Sequence, residues 1–127
     1  MQRIRVFITA FLFSATLLLA ADATRNVSID EFDQLRTNAS HVVLDVRTEK
    51  EFKAGHIPGA TLIDFNAPGF DEKLAKLDRS KTYLVHCAAG VRSAKACKKL
   101  EAGGFTNILH LSSGFQGWKK AGKPIEK

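Results

Sequence analysis

The stretch that decides the fold is Tyr83-Leu84-Val85-His86-Cys87-Ala88-Ala89-Gly90-Val91-Arg92-Ser93. Its apolar first half is typical of a buried strand that ends at Cys87. A loop of small residues follows, and a helical pattern then runs from Ser93 to Leu100. Backbone N–H groups that converge near a helix N-terminus stabilise an anion. We therefore expect Cys87 to be a reactive thiol of lowered pKa rather than a small buried hydrophobe.

On both sides of this stretch, apolar runs alternate with helical patterns. The predicted strands cover residues 42–46, 61–64, 82–86 and 107–111. The predicted helices follow capping-box patterns at Ser28 and Thr48 and cover residues 70–77, 93–102 and 115–121. Such alternation predicts an α/β fold in three layers, with a mainly parallel central sheet and helices on both faces. Active groups then lie in loops beyond the carboxyl ends of the strands, where Cys87 and Arg47 fall.

The N-terminal segment has the features of a secretory signal peptide. Arg3 and Arg5 precede an apolar run that extends to Ala21, and Ala21-Asp22-Ala23 resembles a cleavage site. The apolar run is shorter than a membrane-spanning helix needs. We therefore expect residues 1–23 to be removed, with no stable membrane insertion afterwards, and residues 24–127 to form one exported domain. The bacterial periplasm is the favoured location, and secretion is the alternative.

The chain is basic, with a formal net charge of +6 at pH 7. Most of the positive charge lies after residue 78, in the half that contains Cys87. This charge favours small anions or acidic surfaces as partners. No nucleic-acid-binding motif accompanies the lysines, so a nucleic acid is not an expected partner.

The two cysteines are predicted to be free thiols. If Cys87 ends a strand and Cys97 lies inside the next helix, the helical rise separates them beyond the reach of a disulfide. Cys97 also belongs to an apolar set with Val91, Ala94 and Leu100. That spacing predicts that the set faces the core and that the thiol of Cys97 is inert.

Three segments together resemble the single-domain rhodaneses, which are sulfurtransferases. They are Leu44-Asp45-Val46-Arg47 with Glu51-Phe52 and Gly55-His56-Ile57-Pro58-Gly59-Ala60, then Cys87-Ala88-Ala89-Gly90-Val91-Arg92-Ser93, and last Gly114-Phe115-Gln116-Gly117-Trp118. The family often has two glycines before the last segment, where this chain has Ser113-Gly114. The resemblance covers essentially all of residues 24–127 and implies the rhodanese fold.

The resemblance also implies a mechanism through a persulfide on Cys87. A donor such as thiosulfate would supply a sulfane sulfur, and cyanide, a thiol or a protein cysteine would accept it. No metal or organic cofactor is implied. The loop N–H groups would stabilise the sulfur anion, and Arg92 would hold the donor anion directly or shape the loop. The loop residues in this binding role are Ala88, Ala89, Gly90, Val91 and Ser93.

Other polar residues near the predicted site are expected to support it rather than to react. Asp45 ends a buried strand and needs a partner there, and Arg47 can pair with Glu51 four residues later. His56 is interpreted as scaffold. His86 is expected to face away from Cys87, because successive strand residues point to opposite faces. His41 and His110 are given no role, and Trp118 is assigned to the core.

Three other functions compete with sulfur transfer. Cysteine phosphatases also present a thiolate and an arginine at a helix N-terminus, but their loops place five residues between the two and this chain has four. A rhodanese-like module could instead carry sulfur or bind a partner without turnover. A thiol oxidoreductase is disfavoured because no second cysteine is expected close to Cys87.

Overall fold

The computed structural model describes residues 23–127, which form five strands and five helices. The strands are β1 (Thr24–Asn26), β2 (His41–Asp45), β3 (Thr61–Leu62), β4 (Thr82–His86) and β5 (Ile108–His110). The helices are α1 (Ile29–Leu35), α2 (Glu49–Ala54), α3 (Phe70–Ala75), α4 (Val91–Ala102) and α5 (Gly114–Lys120). The predicted signal peptide covers residues 1–23, of which residues 1–22 lie outside the described residues.

The strands form a single sheet in the order β1-β5-β4-β2-β3. Every pairing between these strands is parallel. Strands β2 and β4 are neighbours, and Asp45 at the end of one pairs with His86 at the end of the other. The loops that follow them therefore leave the same edge of the sheet side by side, which brings the segments after Asp45 and after His86 together.

Two apolar cores cover the two faces of the sheet, as expected for three layers. One core joins helices α3 and α4 to the sheet and contains Leu74, Leu100 and Tyr83. The other joins α1 and α5 to the opposite face and contains Phe32 and Trp118. The three-layer α/β architecture with a parallel central sheet, as predicted from the sequence, is thus confirmed, including the assignment of Trp118 to the core.

Local signals explain where the helices adjoining the site begin and end. Thr48 and Glu51 form a complete capping box at the start of α2, and the helix ends at Gly55. At α1 the box is half formed: the Ser28 hydroxyl accepts from the Glu31 N–H, while the Glu31 carboxylate binds Arg25 instead. The capping-box prediction is therefore correct at Thr48 and only partly correct at Ser28.

The apolar face predicted for α4 is partly wrong. Cys97 and Leu100 are buried, but Val91 is 65% exposed and Ala94 is exposed. Ser93 and Ala96 take their places on the buried face. The helix begins at Val91, and in its first turn Ser93 is the residue that faces inwards, towards Cys87 and His110. Within residues 23–127, no helix is long and apolar enough to cross a membrane.

Candidate functional site

The thiol of Cys87 lies at the start of the loop between β4 and α4. Its Sγ accepts a hydrogen bond from the Gly90 N–H at 3.1 Å and lies 3.2 Å from the Ser93 hydroxyl. Gly90 has φ +94°, and a side chain there would collide with the backbone carbonyl of Ser112. Glycine is therefore needed for the loop to close around the sulfur.

Hydrogen bonds lower the pKa of the Cys87 thiol despite its burial. Burial by itself would raise the pKa, and it is outweighed by the Ser93 hydroxyl and by the N–H groups of Ser93, Ala89 and Gly90. The lowered pKa predicted from the sequence is thus supported by the geometry. Fewer amides face the sulfur than predicted. They are those of Ala89, Gly90 and Ser93, and not the whole run over residues 88–93.

Helix α5 holds the other side of the loop. The Phe115 N–H donates to the Cys87 carbonyl at 2.8 Å, and the Gln116 N–H donates to the Ala88 carbonyl at 3.1 Å. Gly114, with φ +65°, touches the loop so closely that a side chain would collide with the Ala88 backbone. Because the loop carbonyls turn towards α5, the amides that follow are free to face the sulfur.

His86 lies on the opposite face of the sheet from the thiol, as predicted. Its ring contacts Phe32 and Phe115, and Nδ1 lies 3.1 Å from the Cys87 carbonyl. Burial lowers the pKa of His86, so the neutral ring donates from Nδ1 to that carbonyl. His86 therefore anchors the backbone of Cys87 and does not act as its base.

Asp45 and Arg47 form a buried ion pair below the loop. Their side chains are 0% and 4% exposed, and the Arg47 guanidinium binds both carboxylate oxygens of Asp45 at 2.8–3.1 Å. Arg47 also donates to the Gly55 carbonyl at 2.8 Å and lies over the Phe115 ring. Asp45 thus has the partner it was expected to need.

The predicted pairing of Arg47 with Glu51 is wrong. Glu51 instead binds Arg92 through two hydrogen bonds, of 2.7 and 3.0 Å. The burial of Arg47 against Asp45 leaves Glu51 free to face the first turn of α4, where Arg92 lies. The pair therefore ties the capping box of α2 to the first turn of α4.

This second ion pair restricts what its two members can do. The hydrogen bonds from Arg92 are the largest cause that lowers the pKa of Glu51 to about 2, so Glu51 is a carboxylate at neutral pH and no proton donor. Both terminal nitrogens of Arg92 are bound to Glu51. Of the two roles expected for Arg92, shaping of the loop is the one the geometry favours.

His56 belongs to the scaffold, as the sequence indicated. Its ring stacks on Phe52 at a centroid distance of 3.7 Å, and its Nδ1 lies 2.9 Å from the Phe52 carbonyl. Its Nε2 lies 3.2 Å from the Glu126 carboxylate. These contacts join α2 to the C-terminal segment.

Cys97 is a buried free thiol of a different kind. Burial is the main cause that raises its pKa to about 12, and both cysteines are free. The two predictions for Cys97, that it is unpaired and that it is inert, agree with this environment. Among residues 23–127, no group of three or more His, Cys, Asp or Glu side chains is arranged to hold a metal ion.

Sequence reasoning missed His110. Its Nε2 lies 2.7 Å from the Ser93 hydroxyl that contacts the thiol, and its Nδ1 lies 3.1 Å from Asn26 Oδ1. The strand alternation from Ile108 could have placed His110 on the face of Cys87. Strand β1, which carries Asn26, was not predicted because it has three residues and no apolar run.

A cavity of about 730 Å³ opens beside the loop, between α4 and the β1–β5 edge of the sheet. Asn26, His110, Gly90 and Val91 lie on its wall, together with Lys95 and Glu101 of α4. Cys87 itself is not on the wall, whereas Ala89 and Gly90 of its loop are. The cavity therefore reaches the histidine behind the thiol rather than the thiol.

Comparison with known proteins defines the class of this fold and site. The rhodanese-like domain pattern matches residues 28–121. The chain is similar to a rhodanese-related protein from Thermoplasma volcanium, whose crystal structure has a TM-score of 0.72, 31% identity, and coverage of 80% of this chain and 97% of that one. The chain belongs to the rhodanese-like domain family.

Curated relatives of the chain include sulfurtransferases and one phosphatase. Thiosulfate sulfurtransferase 16 of Arabidopsis thaliana is 34% identical over 69% of this chain and 82% of its own length. The "Probable adenylyltransferase/sulfurtransferase MoeZ" of Mycobacterium tuberculosis is 36% identical over 72% of this chain, which spans only 24% of MoeZ. The dual specificity phosphatase Cdc25 of Arabidopsis thaliana is 31% identical over 65% of this chain and 64% of its own. The relatives therefore indicate sulfurtransferase activity in general, in a family whose members differ.

Proposed function

We propose that this protein is a sulfurtransferase that moves a sulfane sulfur from thiosulfate, or a similar small anionic donor, to a thiophilic acceptor through a persulfide on Cys87. The observation that carries the proposal is the set of donors around Sγ, with the Gly90 N–H at 3.1 Å and the Ser93 hydroxyl at 3.2 Å. These N–H and O–H groups stabilise negative charge on the sulfur by hydrogen bonding, while the sulfur itself carries the transferred atom.

In the first step, the Cys87 thiolate attacks the outer sulfur of thiosulfate. A bond forms between Sγ and that sulfur, the sulfur–sulfur bond of thiosulfate breaks, and sulfite leaves with its electron pair. In the second step, cyanide, a thiolate or a protein cysteine attacks the outer sulfur of the persulfide, and Cys87 leaves as a thiolate. Both steps conserve charge and need no external oxidant.

The surrounding residues have supporting roles in this proposal. Arg92, bound to Glu51, fixes the first turn of α4, and the basic charge of the C-terminal half of the chain favours an anionic donor. The small side chains of Ala88 and Ala89 leave room beside the loop backbone. Asp45 and Arg47 hold the segment that follows β2 in place through the hydrogen bond from Arg47 to the Gly55 carbonyl.

Intact-mass measurement after incubation with thiosulfate tests the proposal. The wild-type chain should gain the mass of one sulfur atom and lose it when cyanide is added, with formation of thiocyanate. The Cys87→Ser variant should gain nothing. Cys97→Ala is the matched control, since it removes the other buried thiol, and it should load like the wild type. Loading on the Cys87→Ser variant would contradict the proposal.

Two other functions are outcomes of related measurements. A sulfur carrier would load on Cys87 but release no more than one equivalent of thiocyanate when cyanide is added. It would turn over only when its partner is present. The similarity to Cdc25 favours a phosphatase as the second candidate, although Glu51, the acidic residue beside the loop, is held as a carboxylate. Robust hydrolysis of an aryl phosphate, lost in Cys87→Ser, would support that candidate instead.

Export of the domain is a separate proposal, supported by the signal-peptide features of residues 1–23. N-terminal sequencing of the protein purified from the native host would give a terminus after Ala21 or Ala23 if cleavage occurs. An intact Met1 would contradict it.

A further inference from the structure

A chain of hydrogen bonds runs from the reactive thiol to the cavity on the far side of the loop. Cys87 Sγ lies 3.2 Å from Ser93 Oγ, which lies 2.7 Å from His110 Nε2. His110 Nδ1 lies 3.1 Å from Asn26 Oδ1. The four residues come from the β4–α4 loop, α4, β5 and β1, so the contact between them is a product of the fold.

The proton count along this chain restricts its states. The Ser93 hydroxyl has one hydrogen, and Asn26 Oδ1 only accepts. In one state the thiol donates to Ser93, Ser93 donates to Nε2, and Nδ1 donates to Asn26. In the other, His110 carries protons on both nitrogens and donates to Ser93 and Asn26, while Ser93 donates to the thiolate of Cys87. A third state, with His110 doubly protonated and Cys87 still a thiol, holds one proton more; at the proton count of a neutral ring and a thiol, only these two states satisfy all three contacts with Asn26 Oδ1 in place.

The two states contain the same number of protons. They differ by a shift of one proton from Cys87 to Ser93 and of another from Ser93 to His110. The S–H bond breaks, an N–H bond forms at Nε2, and the electron pair stays on sulfur. A neutral histidine is needed to accept the proton. Burial lowers the pKa of His110, which favours the neutral ring as the starting state but opposes its protonation, so the second state depends on the 2.7 Å contact with Ser93 and on the Asn26 acceptor.

We propose that His110 is a positioning residue that takes up the proton of the Cys87 thiol through Ser93, with Asn26 fixing its tautomer. This inference deepens the proposed function, because it rests on Cys87 as the nucleophile. His110 does not touch the sulfur and acts through the Ser93 hydroxyl. Its role is to make the thiolate available below the pH at which an isolated thiol ionises.

The surroundings of His110 allow the proton to leave. His110 is 6% exposed as a residue and lies on the cavity wall together with Asn26. From α4, the charged or titratable groups on this wall are Lys95, Cys97, Lys98 and Glu101. From β1, the wall residues are the neutral Thr24 and Asn26.

The remaining ionisable groups near the chain lie elsewhere. Arg92 pairs with Glu51 at the first turn of α4. Asp45 pairs with Arg47 and lies beside His86, on the face of the sheet opposite to the thiol. His110 is therefore the group through which a proton from the thiol can pass to the cavity.

The pH dependence of Cys87 alkylation by iodoacetamide, followed by intact mass on the full chain, tests the proposal. Two coupled groups give two steps. The wild type should show a shoulder of reactivity near neutral pH, from the thiolate paired with protonated His110, followed by a second rise as the thiol ionises in full. His110→Gln keeps an amide at the position of Nε2 but cannot titrate. It should lose the shoulder, with about a fivefold or greater fall in rate there, and keep the second rise.

Two further variants separate proton transfer from structural support. Asn26→Asp places a carboxylate on Nδ1 and should raise and widen the shoulder, because it stabilises the protonated ring. His41→Gln changes a histidine outside the chain of contacts and should leave the profile as it is. A single-step wild-type profile, or one that His110→Gln and Asn26→Asp leave unchanged, would overturn the inference.

NMR of the His110 ring provides a measurement if His110→Gln fails to fold. In the wild type, the ring should titrate in two coupled steps, and in Cys87→Ala in one; identical titrations would overturn the inference. The sulfur-loading assay distinguishes this inference from the proposed function. Normal loading without a shoulder refutes the relay alone, whereas a shoulder without loading refutes the sulfurtransferase and leaves the relay.

Discussion

Glu51→Gln tests whether the Glu51–Arg92 pair fastens helix α2 to the reactive loop. The substitution keeps the shape of the side chain but removes the charge that Arg92 binds at 2.7 and 3.0 Å. The pKa of Glu51 is about 2 in the folded chain, against an ordinary 4.5. A shift of that size corresponds to ~3 kcal/mol at most. Because the Glu51 side chain is 33% exposed, solvent screening reduces this figure to about 1–2 kcal/mol.

The sign of the pH dependence follows from the lowered pKa. A carboxyl whose pKa is lowered by folding stabilises the protein fully above the unfolded value, and this stabilisation is lost as the pH falls from about 4.5 towards 2. At pH 3, about two-fifths of the stabilisation should remain. Urea unfolding of wild type and Glu51→Gln should therefore differ clearly at pH 7 and much less at pH 3.

Glu49→Gln is the matched control on the same helix. Glu49 pairs with Lys53, and both side chains are about 70% exposed. Its removal should change the free energy of unfolding far less than Glu51→Gln does at pH 7, because solvent screens an exposed pair. The reasoning would be refuted if Glu51→Gln were as mild as Glu49→Gln, or if its effect did not shrink on acidification.

Three further predictions concern other parts of the site. Gly114→Ala and Gly122→Ala both place alanine at positive φ, and this backbone strain should lower the free energy of unfolding by about 1–2 kcal/mol in each variant. Only Gly114→Ala should also abolish sulfur loading, because its new side chain meets the backbone of the loop. Equal loading by the two variants would contradict this. Asp45→Asn should destabilise the fold by about 3–5 kcal/mol in chemical denaturation, since it leaves the Arg47 charge buried and unpaired, and a loss under 1 kcal/mol would contradict it. Because its pKa is raised to about 12, Cys97 should resist iodoacetamide at pH 8 until the chain is unfolded. Mass spectrometry of the folded and the unfolded protein counts the alkylated cysteines and so checks this.

Strong local patterns made most of the fold predictable. The apolar run before Cys87 gave β4 its exact bounds, and the Thr48 capping box gave the start of α2. The position of the reactive thiol could also be predicted from the sequence, because a strand that ends before a cysteine, small residues and a helix is a local arrangement. Strand β1 was missed because its three residues are held by pairing with β5 rather than by their own pattern.

Partner choice in the site was the least predictable feature. Sequence spacing favoured Arg47 with Glu51, but Arg47 is buried against Asp45 and Glu51 reaches Arg92, 41 residues further along the chain. The contact of His110 with Ser93 likewise depends on β5 lying beside β4. Such pairs follow from the order of strands in the sheet, which spacing along the chain does not encode.

The grip of α5 on the loop makes the chemistry depend on a segment outside the loop. The Cys87 and Ala88 carbonyls are held by the Phe115 and Gln116 amides. Until α5 has docked, those carbonyls lack these partners, and the loop amides are not held towards the sulfur. We expect the thiol of such a partly folded chain to ionise as an ordinary cysteine does, so the oxidation-prone thiolate should form only once α5 is in place.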